Sequence, residues 1–355
     1  MTISDIQDKQ PQEKIYAAFG EIMLRLSSPG FERLLQSPAL DAVFGGGESN
    51  VLASLACHGL KTRFISALPD NAIGKAALHQ LSSVGIDVSK VILKKSGRMG
   101  IYYLEKGACQ RPSKVVYDRS DAAINHISGS NLDWKNVLDD CGWFHITGIT
   151  PALSKNAADE TLKALRMARE MGLVVSCDLN FRAKLWKYGV AAQEFMPEMA
   201  HNADVIIANE EDIQKSLGIG TNLDPSSGRI EEERYADLSA QVMQNYPRVK
   251  LVAITLRQSI SASHNVWGSC LYDGREFMIS RTYDITHIVD RVGAGDSFAA
   301  GLIYALSTMN SLKDALEYAT AASCLKHLIE GDWNMSTKEE IMNLMQGDMS
   351  GRIKR

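Results

Sequence analysis

The sequence predicts an α/β fold: a central, mostly parallel sheet flanked by helices, with a small β-sheet attached to it. Three observations lead there. Apolar runs of strand length alternate with helix-length periodic segments, as in a chain of crossover units. Several of these runs end in glycine or in charged residues, where open α/β sheets gather ligand groups. Two strand-like stretches, 98–104 and 114–118, stand between helical units with only a polar turn joining them, which sets a small sheet apart from the main one.

The elements follow in order. Ile15-Tyr16-Ala17-Ala18-Phe19 is an apolar run stopped by Gly20, and Glu21 stands at its end. Met23-Leu24-Arg25-Leu26 and Ala42-Val43-Phe44 read as short strands around a Pro/Gly turn. Gly45-Gly46-Gly47-Glu48-Ser49-Asn50 then precedes a helix on which Val51, Leu52, Leu55 and Ala56 are periodic. These glycines allow close main-chain approach to a ligand, although an ordinary loop would look the same. Residues 64–67 read as a strand, 74–84 as a helix, and Gly85-Ile86-Asp87 leads into another strand. Further on, 143–147 is a strand and Thr150-Pro151 opens a helix from about 152 to 171. The strand 174–178 runs into Asp178-Leu179-Asn180-Phe181-Arg182-Ala183-Lys184-Leu185-Trp186, charged where a sheet strand ends. A buried strand at 204–208 leads to Asn209-Glu210-Glu211-Asp212, which also suits a plain Asn-capped acidic helix start. Residues 251–256 form the last clear strand, followed by Arg257-Gln258-Ser259-Ile260-Ser261-Ala262-Ser263-His264-Asn265, read as a polar loop.

The stretch richest in chemistry is Asp290-Arg291-Val292-Gly293-Ala294-Gly295-Asp296-Ser297-Phe298. Phe298, Leu302 and Leu306 recur at helical spacing, so a helix begins near Asp296. Gly293 and Gly295 leave the turn amides bare, and the positive end of the helix suits phosphate oxygens. A carboxylate in that turn would repel phosphate, but it can accept a proton from an attacking hydroxyl. The competing reading of Asp296 is an acidic helix cap.

Composition bounds the partners. A net charge of -4 and a pI near 6.1 give no basic footprint for nucleic acid or an anionic membrane. Six scattered cysteines without a Cys-x-x-Cys pair read as reduced cytosolic thiols, and the eight histidines show no metal-ligand spacing. Residues 1–14 are polar and read as a flexible tail without the apolar centre of a signal peptide. No run approaches the roughly 20 apolar residues of a membrane span. A cytoplasmic protein is expected.

Asp-x-x-Gly-Ala-Gly-Asp-x-Phe-x-x-Gly, from Asp290 to Gly301, resembles the C-terminal signature of the ribokinase-like (PfkB) carbohydrate kinases. The resemblance extends over about 15–340. It implies one ribokinase-like kinase domain over 15–345, with lid strands within about 22–44 and 97–120 covering a sugar. Asp296 would be the base, with Gly293, Ala294 and Gly295 forming the anion hole. Glu21, Gly46, Gly47 and Asn50 would face the sugar, as would Tyr102, Tyr117 and Arg119 from the lid. Each of these three also fits a cross-strand aromatic or a solvated arginine. The segment 178–186 resembles Asp-x-Asn-x-Arg-x-x-Leu-Trp of the 2-keto-3-deoxygluconate kinases, in which Arg182 would bind the sugar-acid carboxylate. ATP and Mg²⁺ are the implied cofactors, with a monovalent cation as a further candidate. Asn209 and Asp212 would reach Mg²⁺ through water. Asn209, Thr255, Arg257 and Thr320 would join Gly293 and Gly295 at the nucleotide, Thr320 lying on a small-residue helix. A small-molecule sugar acid is the expected partner, in a homo-oligomer.

Two departures from the family pattern stand out. Asp212 replaces the usual glutamate of Asn-x-x-Glu, and the family's Gly-x-x-Gly under the nucleotide is missing from 257–268. The rival readings are a kinase of a neutral ketose such as fructose, and a catalytically idle sugar-binding protein on the same fold. A nucleotide-binding oxidoreductase is weaker, because no strand is followed by Gly-x-Gly-x-x-Gly. Arg119 and Arg182 together argue against the neutral sugar, and Asp296 beside both glycines argues against idleness.

Overall fold

The computed structural model describes residues 6–7, 14–128, 132–220 and 232–347. Strand β1 (Ile15–Phe19) is followed by β2 (Met23–Ser27), β3 (Asp41–Gly45) and helix α1 (Gly47–Cys57). Next come β4 (Thr62–Pro69), α2 (Ala72–Ser83), β5 (Ile86–Asp87), β6 (Val91–Lys94), β7 (Ile101–Glu105) and β8 (Lys114–Asp118). The short α3 (Trp134–Leu138) precedes β9 (Cys141–Thr147), α4 (Lys155–Glu170), β10 (Val174–Asp178), α5 (Ala192–Asn202), β11 (Val205–Ala208), α6 (Glu210–Leu217) and α7 (Glu232–Asn245). Last are β12 (Leu251–Ser261), β13 (His264–Tyr272), β14 (Phe277–Ile279), β15 (Tyr283–Ile285), α8 (Ala294–Thr308), α9 (Leu312–Lys326) and α10 (Lys338–Met345).

The large sheet runs β14-β13-β12-β11-β10-β9-β1-β4-β5, with β6 beside β4 and β15 beside β13. Pairing is parallel from β12 through to β5 and antiparallel among β12, β13 and β14. Strands β4, β9, β10 and β11 are buried along their whole length, as parallel strands covered on both faces must be. Helices α1, α8 and α9 pack Leu52, Leu55, Phe298, Leu302 and Leu316 on one face. Helices α4 and α5 pack Leu165, Ala168, Met196 and Met199 on the other. After β1 the chain turns to β4 on one side and later returns to β9 on the other. This reversal opens a crevice at the carboxyl ends of the strands.

The small sheet is four-stranded, in the order β3-β2-β7-β8, so the strands expected around 22–44 and 97–120 join across a long sequence gap. Only β2 and β7 pair in parallel.

Four expectations change. The helix expected from 152 starts at Lys155, where the Ser154 hydroxyl accepts the amide of Ala157 at 3.1 Å. Thr150 instead donates its hydroxyl to Glu48, so the Thr-Pro pair is a turn anchored in the core. The helix expected over 74–84 begins at Ala72, because the Asn71 side chain caps it by accepting from Ile73 and Gly74. Within the segment expected to be a flexible tail, Ile6 is buried in the core and Gln7 donates to the Met309 carbonyl at 2.7 Å.

The polar loop expected at 257–265 is a hairpin. Its residues continue the β12–β13 ladder, pairing Arg257 with Trp267 and Ser259 with Asn265. Arg257–Ile260 form an exposed edge of the sheet while their partner β13 is covered by β15, so β12 carries the composition of a loop there. At its tip Ala262 donates to the Cys109 carbonyl and Ser263 Oγ accepts the Cys109 amide, which ties the hairpin to the lid.

Candidate active site

The crevice is a cleft of about 410 Å³ between the lid, the strand ends and the start of α8. Asn50, Tyr102, Tyr117, Arg119, Arg182, Asn209, Asp212, Thr255, Arg257, Gly293, Gly295 and Asp296 all line it.

Its floor is the turn entering α8. Gly293 caps the helix in the left-handed region, with φ at 82°, and a Cβ there would lie 2.0 Å from the Asp332 carbonyl oxygen. Gly295 differs: a Cβ on it would meet nothing within 4 Å and would stand in open cleft. The Val292 amide is turned inward to Asp290 Oδ1 at 3.0 Å, and Ala294 donates at 3.3 Å to the Arg291 carbonyl. The expected anion hole therefore loses Ala294, whose amide is already bonded, and the neighbouring Val292 amide is spent in the same way. Gly293, Gly295 and Asp296 supply first-turn amides of the kind that find no acceptor within their own helix.

Asp296 lies in the first turn of α8. Asn50 Nδ2 donates to its Oδ2 at 2.7 Å, while Asn50 Oδ1 accepts the Gly46 amide at 3.1 Å. The Asp296 carboxylate is thus aimed by the helix after the glycine run. Burial pushes the Asp296 carboxyl up to about 6; the Asn50 bond pulls it down, Asp332 pushes it up, and Arg182 and Lys326 pull it down. It remains mostly ionised at neutral pH, which suits a proton acceptor. Gly46 itself has a packing role, since a Cβ there would lie 2.0 Å from the Glu21 carbonyl oxygen. Gly47 also lines the cleft, and a Cβ on it would come within 3.8 Å of Asp296 Oδ1.

Arg119 is ion-paired with Glu21, and both side chains are almost fully buried. Glu21 Oε1 and Arg119 Nε are buried without partners; Arg119 lines the cleft, whereas Glu21, expected at the sugar, lies behind it with Oε1 against Gly100. The pair ties the lid to the end of β1. It also compensates the charge of Arg119, so the argument against a neutral sugar rests on Arg182 and no longer on both arginines. Arg182 is exposed, donates to the Phe181 carbonyl at 2.9 Å and, among the described residues, forms no ion pair. Its field falls on Asp178, Asp212 and Asp296 and lowers the affinity of each for a proton. Tyr102 donates its hydroxyl to Asp332 Oδ2 at 2.6 Å, and Tyr117 presents its ring beside Arg119.

At the nucleotide end the outcomes divide. Thr255, Arg257 and Asn209 line the cleft. Thr320 does not: it is fully buried between α9 and β13, with its hydroxyl bonded to Ser269 and to the Leu316 carbonyl. The small residues around it serve helix packing, since the bare Cα of Gly301 on α8 lies against Ala319. The hydroxyls of Ser261 and Ser263 accept the amides of Ser263 and Cys109, so they serve the hairpin and the lid.

Asn209 and Asp212 form a complete capping box. Asn209 Oδ1 accepts the Asp212 amide at 2.9 Å, while Asp212 accepts the amides of Phe181 at 2.9 Å and Asn209 at 3.3 Å. This is the acidic helix start that competed with the metal reading. Among the described residues no group of three or more acidic, histidine or cysteine side chains is arranged to hold a metal ion. A magnesium ion would fit here only together with nucleotide phosphates, held through water by Asn209, Glu210 and Glu211 at the edge of the cleft.

Sequence reasoning missed Asp332, His327 and Trp267 as lining residues, and Arg25 beneath them. Arg25 is almost fully buried, donating to Asp290 at 2.5 Å, Asp332 at 2.8 Å and Ser27 at 2.7 Å. An arginine within an apolar strand pattern was the only available signal. Asn180, with φ at 35° and a buried Oδ1 lacking a partner, is a further strained residue at the strand end.

The profile of the pfkB family carbohydrate kinases matches residues 16–337. The chain is similar to the 2-dehydro-3-deoxygalactonokinase of Haloferax volcanii, at 30% identity over 94% of this chain and 97% of that one. It is also similar to the 2-dehydro-3-deoxygluconokinase of Bacillus subtilis, at 25% identity over 92% and 94%. The solved structure of the 2-dehydro-3-deoxygluconokinase of Thermotoga maritima superposes with a TM-score of 0.88 at 44% identity, over 94% of this chain and all of that one. No helix among the described residues is long and apolar enough to cross a membrane. A lidded α/β crevice, a Gly-Ala-Gly-Asp helix start and a family match over nearly the whole chain lead to one conclusion: this protein belongs to the pfkB family of carbohydrate kinases.

Proposed function

We propose that this kinase transfers the γ-phosphoryl group of ATP to the terminal hydroxyl of a 2-keto-3-deoxy sugar acid of the 2-keto-3-deoxygluconate type. The observation that carries this reading is the shared cleft of Asp296, buried at the glycine turn, and Arg182, which lacks a carboxylate partner. The names of the relatives, kinases of 2-dehydro-3-deoxygalactonate and 2-dehydro-3-deoxygluconate, support the substrate class.

The sugar lies under the lid, its hydroxyls against Asn50 and Arg119, with Glu21 behind Arg119 holding it in place. Its carboxylate meets the fork of Arg182, whose planar donors match two oxygens. Asp296 accepts the proton of the terminal hydroxyl as that oxygen bonds to the γ-phosphorus, and ADP leaves with the electrons of the broken P–O bond. The amides of Gly293 and Gly295 point at the equatorial oxygens as charge develops on them. Asn209, Glu210 and Glu211 would hold a magnesium ion through its waters, and the ion would supply charge neutralisation at the phosphates. Glu21–Arg119 and the hairpin tip hold the lid in place, which keeps water from competing with the sugar.

A coupled ADP-release assay across sugar acids and neutral ketoses, with ATP and Mg²⁺, tests this directly. The reading predicts highest kcat/KM for a 2-keto-3-deoxy sugar acid. A preference for fructose, or no phosphorylation of any sugar, would refute it.

A further inference from the structure

Lys326, the last residue of α9, is a fully buried lysine. Its ammonium donates to two main-chain carbonyls, Ile329 at 2.9 Å and Asp290 at 3.3 Å. Among the described residues no carboxylate oxygen pairs with it, although Asp290, Asp332 and Glu330 exert attraction from farther away. An unpaired buried ammonium is costly, so its position requires an explanation beyond packing.

The explanation lies in what the two carbonyls belong to. Asp290 opens the phosphate turn: its Oδ1 holds the Val292 amide, and its own amide and that of Val289 are held by the His327 carbonyl at 3.2 and 2.8 Å. Ile329 belongs to the segment 327–332, which reaches Asp332, whose carbonyl lies directly under Gly293. The Lys326 ammonium therefore ties together the two strands of main chain that support the anion cradle. Peptide carbonyls converging on a buried single positive charge are the environment that strips and holds a potassium-sized ion. In this chain the charge is covalently supplied.

We propose that Lys326 is a tethered monovalent cation, a positioning residue that fixes the phosphate turn and leaves no room for a free monovalent cation as cofactor. Resting on the phosphoryl-transfer reading above, the proposal replaces the monovalent ion expected from the sequence with a side chain. Arg25 and Lys326 together balance the Asp290 and Asp332 carboxylates, so a second loose cation would have no net negative charge to answer.

The test compares wild type, Lys326→Ala and Lys326→Met in potassium, ammonium, sodium and choline chloride at equal ionic strength. Kinase turnover and Tm are read separately. Wild type should vary less than about twofold between salts in both readouts. Lys326→Ala should lose roughly 10- to 100-fold in kcat in choline, the scale of a displaced catalytic turn, with little change in sugar KM. Potassium or ammonium should restore most of that loss and raise Tm, by filling the vacated socket. Lys326→Met keeps the stem and closes the socket, so it should lose activity without recovery. Wild type strongly activated by potassium would overturn the proposal, as would Lys326→Ala with full activity in choline or with the same loss in every salt. If both variants fail to fold, the salt response of wild type decides alone. If no sugar is phosphorylated by any protein, the kinase reading fails while the Tm arm still judges the socket.

Discussion

The two glycines of the turn can be separated by one methyl group each. In Gly293→Ala the side chain must adopt a left-handed conformation at φ 82°, costing about 1–2 kcal/mol. Its Cβ would also lie 2.0 Å from the Asp332 carbonyl oxygen, where ordinary contact begins at 3.4 Å. Relieving that overlap adds roughly 1–3 kcal/mol. At about 2.1 cal/mol/K per residue, unfolding 355 residues carries an entropy of roughly 0.7 kcal/mol/K, so Tm should fall about 3–7 °C. Gly295→Ala meets no atom within 4 Å, and alanine in a helix is favoured over glycine by about 0.5–1 kcal/mol. Its Tm should hold or rise slightly. Its methyl would stand where a phosphoryl oxygen must reach the amide, so kcat should fall by about 10²–10³. Calorimetry and steady-state kinetics on the same preparations read both effects. Equal Tm shifts would refute the packing geometry, and a Gly295→Ala enzyme within a few-fold of wild type would refute the cradle.

Three further predictions follow from the same geometry. Asp296→Asn keeps the contact with Asn50 but cannot take a proton, so turnover should fall at least ~10² while calorimetric ATP affinity holds; near-normal turnover would remove Asp296 from the chemistry. Because Asp296 acts ionised and burial places its carboxyl at about 6, kcat/KM should be flat at neutral pH and fall as pH drops below about 6. Asn50→Ala removes a bond that favours the ionised form and should move that limb to higher pH; an unmoved limb would assign it to another group. Thr320→Ala should lose about 1 kcal/mol of stability with the Ser269 bond, and ATP KM should not change, whereas a raised KM would return Thr320 to the nucleotide site.

What could be read in the sequence was whatever depends on local main-chain geometry. Buried parallel strands show as apolar runs, so β1, β9, β10 and β11 were visible, and Gly293–Asp296 announced a bare helix start from its own residues. Partnerships made across hundreds of residues were not legible. Arg25 meets Asp290 and Asp332, and Arg119 meets Glu21, only after the lid folds over the sheet. That second pair removed one of two cations assigned to the substrate. The 257–265 segment misled because an exposed edge strand and a polar loop share a composition. Thr320 misled for a different reason: small residues allow close helix packing as readily as they allow a flat ligand face.

The most direct test of the central claim is kcat/KM for 2-keto-3-deoxygluconate and for its neutral analogue with CH₂OH in place of the carboxyl group, in wild type and Arg182→Ala. Arg182 also stabilises ionised Asp296, so the comparison belongs at pH 8, where the base is ionised in both proteins. A charge-assisted bidentate pair worth about 1.5–3 kcal/mol converts to roughly 10- to 150-fold. Wild type should prefer the acid by about that factor, and Arg182→Ala should erase the preference while treating the neutral sugar nearly as before. Equal losses for both sugars, or a wild type indifferent to the carboxyl group, would contradict the assignment of a sugar acid as the substrate.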